Sequence, residues 1–220
     1  MFLLLVMIKF NQEIIDYINQ QTTPEDKVLQ ELSRETHVKV LHPHMLAGHL
    51  QGKILEMLSR MICPDNILEI GTYTGYSAIC LARGLSEGGK VHTIERNDEL
   101  KDISQKYFKK AGFENRIIQY TGEAREIIPR FDFLFGLVYI DSDKDEYLHI
   151  YNQVFNKVLP GGYILADNVL WEGKVTEKLE SYDKETRSII EFNNFIKNDK
   201  RVENVILPIR DGLMIIRKIS

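Results

Sequence analysis

From Asn66 onward, short apolar runs alternate with helical stretches, and this rhythm constrains the fold more than any other property of the chain. Residues 67–70, 91–95, 116–120, 137–141 and 163–167 read as five strands. Helical patterns fill the gaps at 76–85, up to Lys110, and at 146–158. Strands that alternate with helices need crossover connections, which a parallel sheet covered on both faces accommodates. After Trp171 the rhythm changes. A helix over 185–197 leads to strands at 202–207 and 213–218, joined by a loop containing Pro208 and Asp211-Gly212. So short a loop permits only a hairpin, which sets the last strand antiparallel to its neighbour. Ahead of the alternation, about 11–62 reads as helical, with Pro24 opening a second helix and Pro43 preceding a third. Leu46, Leu50, Ile54, Leu55 and Leu58 give that third helix a buried stripe. No repeat, low-complexity tract or linker interrupts the 220 residues. One domain is expected, with N-terminal helices to about 62 and an α/β core over 63–220.

With 44% apolar and 27% charged residues, the composition is that of a globular protein. A net charge of −4 exerts no global pull toward nucleic acid or anionic lipid. Cys63 and Cys80 have neither CxxC spacing nor the density of a secreted scaffold, and read as reduced residues of a cytoplasmic protein. The apolar opening, Met1 to Ile8, ends at Lys9, short of the roughly 20 residues that span a bilayer. It reads as an upstream start ahead of Met7, or as a segment packed on a partner, rather than as a membrane anchor.

Chemistry collects at the strand ends, where open α/β sheets bind ligands. Glu69-Ile70-Gly71-Thr72-Tyr73-Thr74-Gly75 follows the first strand. Its G-x-x-x-G spacing, with a carboxylate two residues ahead, departs from the G-x-G-x-x-G of pyrophosphate binders. It suits a cationic ligand without phosphate, such as S-adenosylmethionine. Glu95, ending the second strand, is placed to accept hydrogen bonds from ribose hydroxyls. Asp141, Asp167 and Asn168 follow the fourth and fifth strands and form an all-oxygen set suited to a hard divalent cation. Lys144 brings an amine to the same rim, although a solvated loop lysine is an equal reading of that position alone. Asp143 and Asp145 read as helix-start carboxylates. His42, His44 and His49 lack a zinc-binding arrangement and flank a possible acceptor pocket, while Trp171 reads equally as core or as pocket wall.

In order, Glu69 to Ser77, Glu95, Asp141 to Tyr147 and Asp167 to Gly173 resemble the cation-dependent class I O-methyltransferases. Within that family the caffeoyl-coenzyme A O-methyltransferases are nearest and catechol O-methyltransferase more distant. The similarity runs from about Met45 to the C-terminus. It implies a Rossmann-like class I methyltransferase fold, with a seven-stranded, mostly parallel sheet, an antiparallel C-terminal hairpin and extra N-terminal helices. It also implies that Ala47, Glu69, Gly71, Thr72, Ser77, Glu95, Ala124 and Asp141 line an S-adenosylmethionine site. In that site Ala47 meets the methionine end through its backbone and Ala124 lies at the adenine edge, where relatives often carry serine. Asp141, Asp167 and Asn168 match metal ligands, for Mg²⁺ with Mn²⁺ or Ca²⁺ as alternatives, and Lys144 matches the catalytic lysine at the acceptor hydroxyl. A homodimer is implied by the same similarity.

The expected reaction is O-methylation of a small vicinal-diol aromatic of catechol or caffeoyl type. The sulfonium leaves as a neutral thioether, so the chemistry needs no general acid. A second reading keeps the site and replaces the acceptor with a hydroxylated uridine of transfer RNA. Lys174, Lys178, Lys184 and Arg187 would then form the basic approach, diluted by Glu172, Glu177, Glu180 and Glu185. A non-catalytic cofactor-binding module and an NAD-dependent dehydrogenase fit less well, the first because no site residue is missing and the second because the glycine spacing is wrong.

Overall fold

The expected alternation closes into a single seven-stranded sheet in a computed structural model that describes residues 12–177 and 183–219. The strands are β1 (Asn66–Ile70), β2 (Lys90–Glu95), β3 (Ile117–Thr121), β4 (Phe135–Ile140), β5 (Val158–Ala166), β6 (Val202–Leu207) and β7 (Leu213–Lys218). They lie in the order β3-β2-β1-β4-β5-β7-β6. The first five are parallel, and β7 runs antiparallel to both β5 and β6. The order reverses between β1 and β4, so a crevice opens where their carboxyl ends part company with the helices that follow.

The helices are α1 (Gln12–Gln21), α2 (Lys27–Lys39), α3 (Gly48–Ile62), α4 (Tyr76–Ala82), α5 (Lys101–Lys110), α6 (Ala124–Ile127), α7 (Tyr147–Phe155) and α8 (Lys184–Asn198). Alternate side chains of the strands sort into two cores. Leu68, Ile70, Val138, Ile140 and Ile164 face α6, α7 and α8, while Ile67, Val91, Leu137, Tyr139 and Leu165 face α2 to α5. β4 is buried along its whole length, which is why its sequence is an unbroken apolar run rather than an alternation.

Several boundaries differ from the sequence reading. The second helix starts at Lys27, because Asp26 rather than Pro24 caps it, accepting from the amides of Val28 and Leu29 at 2.9 and 3.1 Å. The helix after Gly75 stops at Ala82, where Gly84 lets the chain pass against the backbone of Ser59 and Arg60. β5 begins at Val158 and bulges before Tyr163, so that Phe135 pairs with Val158 and Leu137 with Tyr163. The short α6 has no counterpart in the sequence reading. Met1 to Asn11, Lys178 and Glu180 lie outside the described residues. Among the described residues no helix is long and apolar enough to cross a membrane.

One buried titratable group belongs to this framework rather than to the crevice. His92 on β2 is 5% exposed and ringed by Tyr120, Phe131, Phe133 and Phe135, with Nδ1 3.0 Å from the Tyr120 hydroxyl. Burial, helped by Lys90, pushes its imidazole down to about 4. The unfolded chain, with its histidine near pH 6.5, therefore binds the proton more readily between these values. Stability is expected to fall as pH drops from about 6.5 to about 4. His92→Phe should make that fall shallower, as read from thermal midpoints of both proteins across the window.

Candidate active site

At the end of β1 the backbone turns so tightly that only glycine fits. Gly71 has φ of 102°, its amide donates to the carbonyl of Ile94 at 3.0 Å, and a Cβ there would overlap the carbonyl oxygen of Asp141. The carboxyl ends of β1 and β4 therefore meet backbone to backbone. Gly75, with φ of 91°, begins α4 under the ring of Phe108.

Glu69 lies wholly inside this junction. A short relay runs from Thr72 to the Thr93 hydroxyl at 2.5 Å and on to Oε2 of Glu69 at 2.5 Å. Oε1 has no hydrogen-bond partner in the described structure. Burial pushes the Glu69 carboxyl up to about 8, and the nearby hydroxyls of Ser77 and Thr93 only partly offset this. A fully buried carboxyl oxygen left without a donor fits a cationic ligand group. Glu95, one strand over, accepts from the amides of Tyr73 at 2.7 Å and Asn97 at 2.9 Å, and so fixes the glycine turn while keeping spare lone pairs. Ala124 is buried at the start of α6, and Ala47 is the N-cap of α3.

The second half of the site is built on the ends of β4 and β5. The amide of Asp141 donates to the carbonyl of Ile70 at 2.9 Å, and that of Asp167 to the carbonyl of Ile140 at 3.0 Å. Asn168 adopts the left-handed conformation, φ 55°, which swings its amide back toward β4. Lys144 is buried between them. Its Nζ donates to Oδ1 of Asn168 at 2.8 Å, to Oδ1 of Asp141 at 3.2 Å and to the hydroxyl of Tyr147 at 2.8 Å. Packing of protein around Asp141 pushes its carboxyl up to about 6, with Lys144 pulling it down and Asp167 pushing it up. Its side chain is 28% exposed, so solvent moderates that shift.

The Asp167 carboxylate lies near Asp141 but bonds to partners other than Lys144. Its Oδ2 accepts from Gln51 and from the Tyr139 hydroxyl at 2.8 Å, and its Oδ1 from the amide of Asn168 at 2.8 Å. Tyr147 donates to its backbone carbonyl at 2.8 Å. Among the described residues no three His, Cys, Asp or Glu side chains gather into a metal-binding group. Asp141, Asp167 and Asn168 supply two carboxylates and one amide, a hard-oxygen donor set. A positive charge, the ammonium of Lys144, already sits between two of these three oxygens. The residues therefore fit a divalent cation held by oxygen alone.

Other sequence-marked residues take outlying places. Asp143 pairs with Arg96 and Asp145 with Lys184, so neither joins the cluster. The rings of His42 and His44 meet edge to face at 5.7 Å beside the loop that the Tyr73 hydroxyl anchors to the carbonyl of Leu41 at 3.0 Å. Trp171 packs on the core and also stands beside Lys144, whose Nζ is 5.9 Å from its ring centre. Gln51, Tyr139 and Arg210 were not marked by the sequence. Gln51 carried one signal, a polar residue one turn before Leu55 on the apolar stripe of its helix.

The chain matches the model of a family described as O-methyltransferase over residues 19–219. It is 32% identical over 209 residues to a caffeoyl-CoA O-methyltransferase of Petroselinum crispum, covering 89% of this chain and 86% of that protein. The corresponding enzyme of Medicago sativa is 33% identical over 213 residues, with 89% and 83% covered. Among solved structures, the O-methyltransferase from Bacillus cereus in complex with SAH superposes with a TM-score of 0.87 at 30% identity, covering 94% of this chain and 97% of that one. A Streptomyces achromogenes O-methyltransferase solved with SAM also reaches 0.87, over 94% and 96% of the two chains; at 24% identity it speaks for the fold alone.

The buried Glu69 has a consequence measurable without any ligand. Its carboxyl titrates near 8 when folded and near the ordinary 4.5 when unfolded, so the folded chain holds the proton more tightly between these values. Stability of the ligand-free protein is expected to fall as pH rises from about 4.5 to about 8. Glu69→Gln should remove that component of the slope in urea unfolding at several pH values; an unchanged slope would show that Glu69 is ionised when buried.

Proposed function

The chain belongs to the O-methyltransferase family, and from that premise we propose that it methylates a hydroxyl of a small vicinal-diol aromatic with the help of a divalent cation. That it is an S-adenosylmethionine-dependent O-methyltransferase of the caffeoyl-CoA type follows from the family match and the relatives. The acceptor and the cation are our own reading. The observation that carries them is the convergence of Asp141, Asn168 and the Lys144 ammonium at the ends of two adjacent strands, with the Asp167 carboxylate beside them.

The donor supplies an electrophilic methyl group, and a divalent cation would lower the pKa of the acceptor hydroxyl. Everything else falls to the chain. The methyl carbon passes from sulfur to oxygen, the carbon–sulfur bond breaks, and the hydroxyl proton needs a base. We assign that base to the neutral amine of Lys144, a form that a divalent cation beside it would favour over the ammonium, held in place by Tyr147 and Asn168. Asp141, Asp167 and Asn168 would hold Mg²⁺ or a similar ion. Glu69 is assigned to the ammonium of the donor, Glu95 to its ribose and Ala124 to its adenine edge. Gly71, Thr72 and Ser77 line the turn, and Ala47 offers backbone to the methionine end. Alignment of oxygen, carbon and sulfur is worth up to about 7–11 kcal/mol, which is why a rigid rim matters. Trp171 and Tyr147 wall the Lys144 amine from water.

A small acceptor is also supported by the charge around the site. Of the lysines proposed to approach RNA, Lys184 pairs with Asp145 at 2.5 Å, and Lys174 lies 3.6 Å from Glu172 and 3.9 Å from Asp183. Such neutralised cations make a poor phosphate track. We further propose a cytoplasmic homodimer with no membrane partner, in keeping with the free thiols of Cys63 and Cys80.

The test is methyl transfer from S-adenosylmethionine to catechols, caffeoyl esters and hydroxylated transfer RNA, with and without Mg²⁺. Turnover is expected on the first two and to vanish in EDTA. Asp167→Ala should lower turnover at least about 100-fold while leaving donor affinity within about threefold. Full activity in excess chelator would sink the cation, and turnover confined to RNA would sink the acceptor.

A further inference from the structure

We propose that Gln51 and Arg210 are positioning residues for the Asp167 carboxylate, a relay that ties the loop between β6 and β7 to the cation site. The inference rests on the cation reading above.

Gln51, on α3, is 2% exposed, and both ends of its amide are committed. Its Nε2 donates to Oδ2 of Asp167 and, at 3.0 Å, to the hydroxyl of Tyr139. Its Oε1 accepts from Nη1 of Arg210 at 3.2 Å. Each neighbour dictates one end. A carboxylate only accepts, so it requires the NH₂, and a guanidinium only donates, so it requires the oxygen. Flipping the amide would set donor against donor and acceptor against acceptor. The amide is therefore locked, and its lock holds Oδ2 of Asp167 in one direction.

Arg210 is itself held at the start of α3, the two Nη1 hydrogens shared among three acceptor oxygens. The same Nη1 donates to the carbonyl of Leu46 at 3.0 Å and to that of Ala47. Its backbone is left-handed, φ 48°, a conformation in which glycine would be unstrained. The loop accepts that cost and carries a side chain that spans to α3. The next two residues grip the other wall of the site. Asp211 accepts from the amide of Leu170 at 2.9 Å through its carbonyl and from that of Glu172 through its carboxylate, and the carbonyl of Gly212 accepts from Val169 at 3.1 Å. One five-residue loop thus holds the segment before Gln51 and the segment after Asn168.

The arrangement separates positioning from general support. If Gln51 only filled space, a near-isosteric apolar residue would lower stability and leave cation affinity alone. If it orients Asp167, cation affinity falls by the roughly 10–100-fold typical when the hydrogen-bond partner of a metal ligand is lost. Arg210→Gly suits the backbone of its turn, so it removes the guanidinium without adding strain.

The experiment titrates Mn²⁺ by the loss of its free-ion paramagnetic resonance signal, with S-adenosylhomocysteine affinity by calorimetry, on the full chain and three variants. Gln51→Leu is expected to weaken Mn²⁺ binding about 10–100-fold with S-adenosylhomocysteine affinity within about threefold. Arg210→Gly should weaken Mn²⁺ less, and the double variant should be no weaker than Gln51→Leu alone, since both act through one path. Should Gln51→Leu not fold, Arg210→Gly carries the test alone. Unchanged Mn²⁺ affinity in the variants, or effects that add in full, overturns the relay while the cation site stands. No Mn²⁺ binding by the wild-type protein at millimolar concentration overturns the cation reading and the relay with it.

Discussion

The close approach of β1 and β4 at their carboxyl ends is the contact on which the rest of the site depends. Gly71 passes against the carbonyl of Asp141 with no room for a side chain, and the amide of Asp141 closes the junction onto Ile70. Parallel strands with reversed order on either side of this point must send their following helices to opposite faces. The junction is therefore both the tightest place in the sheet and the mouth of its crevice. Glu69 lies just below it and Asp141 on its rim. A group that binds against Glu69 and another that binds against Asp141 are neighbours because the backbones touch.

Electrostatics follow from that geometry. The charge of Asp141 raises Glu69 and that of Asp167 raises Asp141, while Lys144 donates to Asp141 and Asn168. Burial first, and these neighbouring charges after it, push the Glu69 carboxyl up to about 8 and the Asp141 carboxyl up to about 6. Burying carboxylates in excess of cations is unfavourable unless something positive completes the set. A site of this kind favours cationic ligands on general grounds, and a sulfonium-bearing donor together with a divalent ion would supply positive charge to both halves. The unpartnered oxygen of Glu69 is the local expression of the same imbalance.

How much of this was legible in the sequence depends on the range of the interaction. β6 and β7 begin and end where the apolar patterns at 202–207 and 213–218 do, because Pro208 and Asp211-Gly212 punctuate the turn between them. The acidic strand ends were visible because each follows an apolar run directly. Boundaries governed by tertiary contact were not. Asp26 displaces Pro24 as a helix start, the bulge in β5 absorbs residues that look like loop, and α6 is too short to show a period. Gln51 and Arg210 are 159 residues apart in sequence and meet only across the folded site. Nothing local in a loop reading Pro-Ile-Arg-Asp-Gly announces that its arginine will reach a helix near the other end of the chain.

The antiparallel final strand explains why that loop is where it is. Because β7 runs against β5, it begins where β5 ends, with Met214 paired to Ala166 beside Asp167. The loop preceding it must therefore sit at the carboxyl edge, among the ends of β4 and β5. A parallel strand in the same position would start at the opposite edge, some 20 Å away across a typical strand length, and its preceding loop would have no access to the crevice. β6 lies outside β7 and delivers the chain to that edge from the far side of the sheet. The hairpin thus completes the sheet and closes the rim. Its direction, set by a turn of five residues, determines that Arg210, Asp211 and Gly212 brace the residues on either side of the site.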